Sequence, residues 1–294
     1  MKVLGFGDNI IDRFNDRRVV YPGGNCVNFA VFARKLGLDA DYLGVFGNDD
    51  YADLLRGAIA LEGVGTPHCV IREGPSGISN LTVVDGERVF GGWNGGGVTV
   101  SEPLTLDPAL LAYAAEFALT HSSVYSRSEH DLPALHGLGR LVSYDFSSED
   151  DFRTHGYLSR VCPSIDLALF SCSHLSVTET TALLEKAVRL GARMALGTRG
   201  TAGSILWDGR NLLAGSCEPV DEEAIVDTMG CGDAYLAAFV AAMLWAGWTR
   251  EELPSAAQRA ECLTSAASFA ARQTLVDGAF GHGQPVGDGA TTRM

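Results

Sequence analysis

Hydrophobic residues alternate along most of the chain between short continuous runs and longer stretches with helical spacing. The run KVLGFG near the start ends at glycine and an acid, which is typical of a buried strand whose end faces a ligand. Helical spacing follows over 25–36, where we predict that Asn25 caps the helix and Gly37 ends it. DADYLGVFG and DDYADLLRGAIALEGV then predict another strand and another helix. This rhythm predicts a parallel α/β sheet.

The pattern changes between His68 and Val98, where three runs look like strands and no long helical segment appears. The runs are HCVIREG, SGISNLTVV and ERVFGGW, with a hairpin turn predicted at DGE, 85–87. We interpret this stretch as a small β insertion, joined by a short segment near the start and followed by a hinge at WNGGGV. The predicted division is an α/β domain of 1–12, 22–67 and 98–283, a β lid of 13–21 and 68–97, and a flexible tail of 284–294.

The α/β rhythm resumes after the insertion. FALTHSS, LVSYDFS and DLALFSCS predict strands, SVTETTALLEKAVRLGA predicts a helix, and RMALGTRGTAGSILWDGRNLL predicts a strand, a glycine loop and a hairpin. The longest apolar run, 234–248, is too short for a confident membrane span and predicts a buried helix.

Charge and cysteine usage narrow the class of protein. The 294 residues carry a formal net charge of -14, which argues against binding to nucleic acid or to an anionic membrane. The seven cysteines include no CxxC pair, and the start MKVLGFGDN has no signal-peptide pattern. We therefore expect a cytoplasmic protein with reduced thiols.

The segment PGGNCVN, 22–28, has the composition of a polyol site. Its two glycines let a ligand approach the backbone, and its two asparagines offer donors and acceptors suited to hydroxyl groups. The asparagines could equally be helix-cap and first-turn residues. Two acids upstream add acceptors. The candidate sugar-binding residues here are Asp8, Asp12, Gly23, Gly24, Asn25 and Asn28.

The segment DTMGCGDAY, 227–235, predicts an anion site at a helix start. Gly230, Cys231 and Gly232 precede a buried helix that we expect to begin near Asp233, so that backbone N–H groups and the helix dipole favour a phosphate there. Asp233 could accept a proton from a sugar hydroxyl, or it could be only the N-cap. A cap does not require two glycines, which favours the catalytic interpretation.

Two other glycine-containing stretches carry weaker nucleotide signals. GFGDNI, 5–10, is an incomplete dinucleotide fingerprint because Ile10 replaces the third glycine. LGTRGTAGS, 196–204, places Gly200 and Gly203 in a loop that is either an ordinary turn or a place where a nucleotide lies against the main chain.

With GGNCVN near the start, DTMGCGDAY near the end and the β insertion between them, the sequence resembles the ribokinase-like (PfkB) carbohydrate kinases over residues 1–283. The segments GDNIID, GGNCVNFAV, GNDDYADLL, ERVFGG, YDFS and VDTMGCGDAY are together similar to the fructoselysine 6-kinases of that family. The resemblance implies a central, mostly parallel β-sheet flanked by helices, with a small β-sheet lid. It also implies ATP- and Mg²⁺-dependent phosphorylation of a primary hydroxyl of a sugar or Amadori sugar amine, whose cationic nitrogen Asp8, Asp12 or Asp145 could attract.

The resemblance also implies roles for individual residues. Asp233 would be the base, and Gly230, Cys231 and Gly232 would form the anion hole. Arg88, on the lid segment, would contact the substrate or the transferred phosphate. The positions that match the family's sugar site are Asp8, Gly23, Gly24, Asn25 and Asn28. Those expected at the nucleotide are Thr198, Gly200, Gly203 and Thr228.

The chain departs from the family pattern in two places. Cys231 stands where most members have alanine. The magnesium motif Asn-x-x-Glu should fall near SCSH, where Ser171 and His174 replace both anchors, although Glu179 lies downstream. The metal ligands therefore stay unassigned. A monovalent cation near Asp227 and a homodimer formed through the lid are further family-level expectations.

Three alternatives stay open at this stage. The first is a kinase for another sugar, such as ribose, fructose or a nucleoside. The second is a sugar-binding regulator that keeps the fold without turnover, which the altered magnesium motif favours and the presence of Asp233 disfavours. The third is a Rossmann-type oxidoreductase, which the incomplete fingerprint disfavours.

Overall fold

The computed structural model describes residues 1–84 and 87–286. Its strands are β1 (Lys2–Gly7), β2 (Ile10–Phe14), β3 (Val19–Gly23), β4 (Asp39–Phe46), β5 (Val70–Ile71), β6 (Ile78–Val84), β7 (Glu87–Trp93), β8 (Leu119–Ser123), β9 (Leu141–Asp145), β10 (Leu167–Ser171), β11 (Met194–Thr198), β12 (Ser204–Trp207), β13 (Leu212–Gly215) and β14 (Gln284–Pro285). Its α-helices are α1 (Asn25–Lys35), α2 (Asp50–Leu61), α3 (Gly97–Ser101), α4 (Pro108–Ala114), α5 (Leu132–Gly137), α6 (His155–Val161), α7 (Val177–Arg189), α8 (Cys231–Trp245) and α9 (Ala256–Gln273).

Within the described residues, nine strands form one large sheet in the order β13-β12-β11-β10-β9-β8-β1-β4-β5. Neighbours from β11 to β5 run parallel, and β12 and β13 add an antiparallel edge. Parallel neighbours require crossover connections, so the carboxyl ends of β1, β8, β9, β10 and β11 meet at one edge of the sheet. The predicted, mostly parallel α/β sheet is confirmed.

Helices cover both faces of the large sheet because its side chains alternate between two cores. Val3 of β1 packs in the core formed with α1, α2, α8 and α9, whereas the next residue, Leu4, packs in the core formed with α4, α5, α6 and α7. Helix α8 is buried continuously over 234–241, as its apolar sequence predicts. Among the residues described, no helix has both the length and the apolar character needed to cross a bilayer.

A second sheet, the lid sheet, has the strand order β14-β3-β2-β6-β7. Its strands do not coincide with the lid predicted at 13–21 and 68–97. It starts earlier, at Ile10, because β2 continues almost directly from β1, and the first predicted strand of the insertion yields only β5, which pairs with β4 of the large sheet.

Two predicted segments lie partly outside the described residues. In the predicted tail, 284–294, β14 pairs with β3 of the lid sheet, whereas residues 287–294 lie outside the description. Residues 85 and 86 of the predicted hairpin turn lie outside the described residues as well.

The predicted hinge at 93–98 runs into α3, which begins at Gly97 after a left-handed Gly96.

The turn between β2 and β3 connects the lid sheet to the main domain. The Arg17 guanidinium lies 3.9 Å from the ring centroid of Phe14, and it pairs with Asp277 at 3.2 Å and with the buried Asp227 at 3.5 Å. Asp227 in turn accepts a hydrogen bond from Met229 N at 3.0 Å, just before α8. The lid sheet therefore contacts the loop that leads into α8.

Candidate active site

Carboxylates collect at the edge of the sheet where the parallel strands end. Asp8 follows β1 and Asp145 ends β9, with β8 between them in the sheet. Helices α1 and α8 begin at the same edge, and α8 places Asp233 there. In α/β proteins of this type, ligands bind outside the carboxyl ends of the strands. The edge is therefore the candidate active site.

Asp8 is held by protein donors on both carboxylate oxygens. Oδ2 accepts Asn25 N at 2.6 Å, and Oδ1 accepts hydroxyl groups from Ser123 at 2.7 Å and Ser126 at 2.8 Å. The Cys26 thiol donates to Oδ1 as well, at 3.1 Å. Asp8 thus anchors the start of α1 to the end of β8, a contact that motif analysis did not anticipate.

Asn25 does not cap α1, contrary to our prediction. The N-cap is Gly24, whose φ of 113° is outside the range that a side-chain-bearing residue adopts easily, and no side chain caps the helix. Asn25 Nδ2 instead donates to Asp145 Oδ2 at 2.8 Å. A contact with β9 in the tertiary structure thus takes the place of the local contact with helix N–H groups that an N-cap side chain makes.

Asn28 and Asp233 join α1 to α8 across the candidate site. Asn28 Nδ2 donates to Asp233 Oδ2 at 2.7 Å. Asn28 Oδ1 is buried, and none of the residues that the structure describes donates a hydrogen bond to it. A buried acceptor without a donor costs free energy, so this oxygen is suited to a ligand hydroxyl.

Burial and like charge raise the pKa values of two carboxyl groups in the site. Burial raises the pKa of Asp145 to about 7, with a contribution from the negative charge of Asp8. The pKa of Asp233 lies well above its usual value because of burial and then repulsion from Asp145, partly offset by Asn28, with Asp8 and Asp12 adding repulsion. Four carboxyl groups that repel one another favour a cationic ligand or shared protons.

Gly23 and Gly24 lie where the lid sheet joins α1. A Cβ on Gly23 would stand 2.7 Å from Asp12 Oδ2, and one on Gly24 would stand 2.6 Å from Asn9 Cα. Any larger residue would therefore displace the Asp12 carboxylate or the backbone after β1. These glycines have a packing requirement beside the predicted role in sugar binding.

Helix α8 begins at Cys231, two residues earlier than predicted, with Gly230 as N-cap at a φ of 71°. Asp233 is consequently a first-turn residue and not the cap. Cys231 N contacts Thr228 O at 3.3 Å, whereas the N–H groups of Gly232 and Asp233 occupy positions that no helical carbonyl serves. Of the predicted anion-hole residues, Gly232 therefore has the amide best placed for a ligand, and the amide of Asp233 joins it as a donor that was not predicted.

The predicted nucleotide loop lies at a separate part of the same edge. Thr198 ends β11, and Gly200, at a φ of 57°, lies in a short 3₁₀ turn. Packing alone requires a glycine at position 203, since a Cβ there would lie 2.1 Å from Gly215 O of β13. Thr228 lies in the loop before α8 and not in this hairpin.

Comparison with known proteins decides the family. The model of the pfkB family carbohydrate kinases matches residues 13–135 and 143–276. The chain belongs to the PfkB family of carbohydrate kinases. ATP is therefore the expected phosphoryl donor, and the oxidoreductase alternative is set aside.

Curated relatives of this PfkB kinase include enzymes for sugar amines. The chain is 38% identical to the fructosamine kinase of Bacillus subtilis over 288 residues, which cover 97% of this chain and 95% of that protein. It is 32% identical to the fructoselysine 6-kinase of Escherichia coli over 251 residues, 85% and 90% of the two chains. A solved fructokinase with bound ATP from Xylella fastidiosa shares the fold, with a TM-score of 0.76, 18% identity and 95% coverage of both chains.

The residues at the position of the family's magnesium motif do not fit a magnesium ion. The Arg153 guanidinium donates to His174 Nε2 at 3.0 Å and to Ser171 O at 2.6 Å, so a cation already lies there. The Glu179 carboxylate accepts Ser176 N and Oγ in a helix capping box. In the part of the chain that the structure describes, no group of three or more acids, histidines or cysteines is arranged to hold a metal.

Several residues of the candidate site in this PfkB kinase lie outside the sequence motifs. Ser123 and Ser126 hold Asp8, and Arg153 lies behind the edge of the sheet. A run of serines directly after an apolar strand, as in FALTHSS, was a usable signal, because buried hydroxyl groups at a strand end need partners. Arg88, predicted to contact the substrate, belongs to β7, but its side chain lies outside the described residues.

Proposed function

We propose that this kinase transfers the γ-phosphoryl group of ATP to a primary hydroxyl of a fructosamine, the Amadori adduct of a sugar and an amine such as lysine. The observation that carries the proposal is the carboxylate cluster around Asp233 at the start of α8, where burial and mutual repulsion raise its pKa. The similarity to two kinases whose names specify fructosamine and fructoselysine supports the same substrate class.

The protonated amine of a fructosamine suits this cluster. A nearby positive charge stabilises ionised carboxyl groups and lowers their pKa. Binding of the substrate would therefore increase the fraction of Asp233 that is ionised and able to accept a proton. A neutral sugar would bring no such charge, so the same electrostatics favour sugar amines over free sugars.

Asp233 is proposed as the general base. Asn28 holds its Oδ2 at 2.7 Å, which fixes the carboxylate at the start of α8 while the unpartnered Asn28 Oδ1 accepts a second hydroxyl of the sugar. The amides of Gly232 and Asp233 and the dipole of α8 would stabilise the charge that develops on the transferred phosphoryl group.

The remaining predicted residues keep supporting roles in the proposal. Asp12 and Asp145 attract the amine, Gly23 and Gly24 let the sugar approach the backbone, and the loop from Thr198 to Gly203 faces the nucleotide. Magnesium is proposed to arrive with the nucleotide, and none of the described residues is assigned to it. A monovalent cation near Asp227 and a dimer formed through the lid sheet are proposals that rest on the family alone.

A substrate panel tests the proposal. ADP release would be measured with the fructosamines of lysine and glycine, and with fructose, ribose and a nucleoside as neutral acceptors. We expect kcat/KM for the fructosamines to exceed that for fructose by about 10- to 100-fold, since a charge-assisted contact contributes a factor of this size. Asp12→Asn should reduce this preference, whereas Asp53→Asn, on the exposed face of α2, should not. A higher kcat/KM for a neutral sugar would contradict the substrate assignment.

The regulator alternative has one structural observation in its favour, the guanidinium at the magnesium motif. It predicts that sugar and ATP each raise the melting temperature while no acceptor in the panel releases ADP. Release of ADP with any acceptor above the background ATP hydrolysis rate would exclude it.

A further inference from the structure

Two arginines on the nucleotide side of the edge have no acidic partner. Arg153 is 7% exposed, and its Nη2 donates to Ser147 O at 3.0 Å and Ser171 O at 2.6 Å. Arg199, half-buried between β11 and β12, donates to Leu175 O at 3.3 Å. In the part of the chain that the structure describes, neither guanidinium forms an ion pair with a carboxylate. The hydrogen bonds to carbonyl groups leave both charges uncompensated.

Both side chains also contain an unused donor. Nε of Arg153 and Nε of Arg199 are buried and make no hydrogen bond within residues 1–84 and 87–286. Buried charged groups are normally paired, because their transfer out of water is costly without a counter-charge. Two such groups in a chain of net charge -14 point to an anionic ligand that compensates their positive charges and accepts their hydrogen bonds.

The two arginines hold the same turn. Ser171 and Leu175 mark the ends of the turn that follows β10, and each end gives a carbonyl to one arginine. Both positive charges act on the thiol of Cys172 inside that turn, where they oppose the burial that raises its pKa to about 11. The cations are therefore close to one another, and Cys172 N bonds Thr198 O at 2.6 Å, next to the predicted nucleotide loop.

His174 adds a further polar group to this turn. Since a guanidinium only donates, the contact from Arg153 Nη1 at 3.0 Å makes His174 Nε2 the acceptor and leaves its proton on Nδ1. The imidazole is exposed and can offer that Nδ1–H to a ligand. The turn thus presents donors where the family motif has an amide and an acid.

We propose that Arg153 and Arg199 form a polyphosphate-binding site for the nucleotide, in which fixed guanidinium charges replace the acidic shell through which other members hold a metal-bound phosphate. This inference deepens the proposed function, on which it rests. Arg153 connects to the rest of the site through Ser147, whose N–H bonds Asp145 at 2.7 Å, so the phosphates would extend from this turn toward α8. Arginine is suited to the task because its planar donors match phosphate oxygens.

Calorimetric titration with metal-free ATP in the presence of EDTA tests the site, with adenosine as the probe that lacks phosphates. We expect Arg199→Gln and Arg153→Gln each to weaken ATP binding by about 10- to 100-fold and to leave adenosine binding unchanged. Arg140→Gln is the matched control, because Arg140 also donates to a carbonyl but lies before β9, at the opposite edge of the sheet. The affinity of the Arg140→Gln variant for ATP should equal that of the unmodified protein.

Several results would overturn the inference. Unchanged ATP affinity in Arg199→Gln would do so, as would an equal loss of adenosine and ATP binding, which would mean a structural role. If Arg153→Gln does not fold, Arg199→Gln carries the test. Because the titration needs no sugar, a kinase that rejects fructosamines but loses ATP affinity in Arg199→Gln would refute the substrate and leave the phosphate site standing.

Discussion

At the residue scale, the candidate site depends on carboxyl groups that the fold holds close together although they repel one another. Asp145 and Asp233 are separated by 88 positions in sequence yet raise each other's energy when both are ionised. Asn25 and Asn28 reduce that cost, since each donates an amide hydrogen to one of the two acids. The asparagines therefore tune the acids as well as offering contacts to a sugar.

Replacement of Asp233 by Asn should nearly abolish turnover. The loss of a general base typically lowers rates by about 10²- to 10⁴-fold, while the amides that hold ATP stay in place. We expect kcat to fall by this factor and the affinity for ATP to change little, measured by ADP release and by calorimetry. Asp277→Asn, at an exposed acid paired with Arg17, is the control. An unchanged kcat in Asp233→Asn would refute the assignment.

Asp145→Asn should move the pH profile. A general base works when deprotonated, so kcat/KM falls as pH decreases through the pKa of Asp233. Repulsion from Asp145 contributes to keeping that pKa high. Removal of the charge should shift the acidic limb of kcat/KM to lower pH. Asp166→Asn removes a buried acid just before β10, at the opposite edge, and should leave the limb in place.

At the element scale, the start of α8 depends on a backbone conformation that only glycine adopts readily. Gly230 has a φ of 71°, and a Cβ there would lie 2.9 Å from Ala279 Cβ. The amides of Gly232 and Asp233, in the first turn that follows, are the donors of the candidate anion hole. The left-handed conformation of Gly230 at the N-cap, and not the side chain of Asp233, determines where those amides point.

Gly230→Ala should destabilise the protein and weaken phosphate binding together. A left-handed conformation costs about 1–2 kcal/mol for alanine, and the close contact with Ala279 adds to it. We expect a lower melting temperature and a lower ATP affinity, by calorimetry. Gly57→Ala is the matched control, because Gly57 lies within α2 with open space around it and alanine favours helices. A melting temperature for Gly230→Ala equal to that of Gly57→Ala would contradict this account.

At the scale of the whole molecule, the active site and the core impose opposite pH dependences on stability. His121, fully buried in β8, has its pKa lowered to about 3 by burial, so the unfolded chain takes up a proton first as pH falls below about 6.5. The contribution of neutral His121 to the stability of the fold is therefore fully present above pH 6.5 and is lost as pH falls toward 3. Asp145, with its pKa raised to about 7, has the opposite effect, because its ionisation lowers the stability of the fold as pH rises.

Asp145→Asn should therefore stabilise the protein at neutral and alkaline pH. Between its ordinary pKa of 3.8 and about 7, folded Asp145 keeps a proton that the unfolded chain releases, so stability falls as pH rises through this window. Above pH 7 the cost has an upper limit of about 4 kcal/mol, at 1.36 kcal/mol per pKa unit. We expect the variant to melt at a higher temperature than the unmodified protein at pH 8 and to lose this advantage near pH 4. The same gain at both pH values would point to packing instead.

The sequence by itself determined the elements, the fold class and the family. Periodicity is a local property, so the strand KVLGFG and the buried helix at 234–248 could be recognised without their neighbours. The motifs GGNCVN and DTMGCGDAY identified the family because the spacing of their glycines and acids is a local property of the sequence. Sequence also placed Asp233, Asn28 and Asp145 among the candidates, whose roles remain proposals.

Only the tertiary structure decided how these candidates are connected. The strand order places β8 between β1 and β9, which brings Ser123 to Asp8 across 115 positions and turns the expected cap Asn25 toward Asp145. The structure also revealed Arg153, which no motif contains and which forms no ion pair with a carboxylate among the described residues. Such features depend on which groups meet across the sheet and which remain unpaired, and a one-dimensional pattern does not encode either.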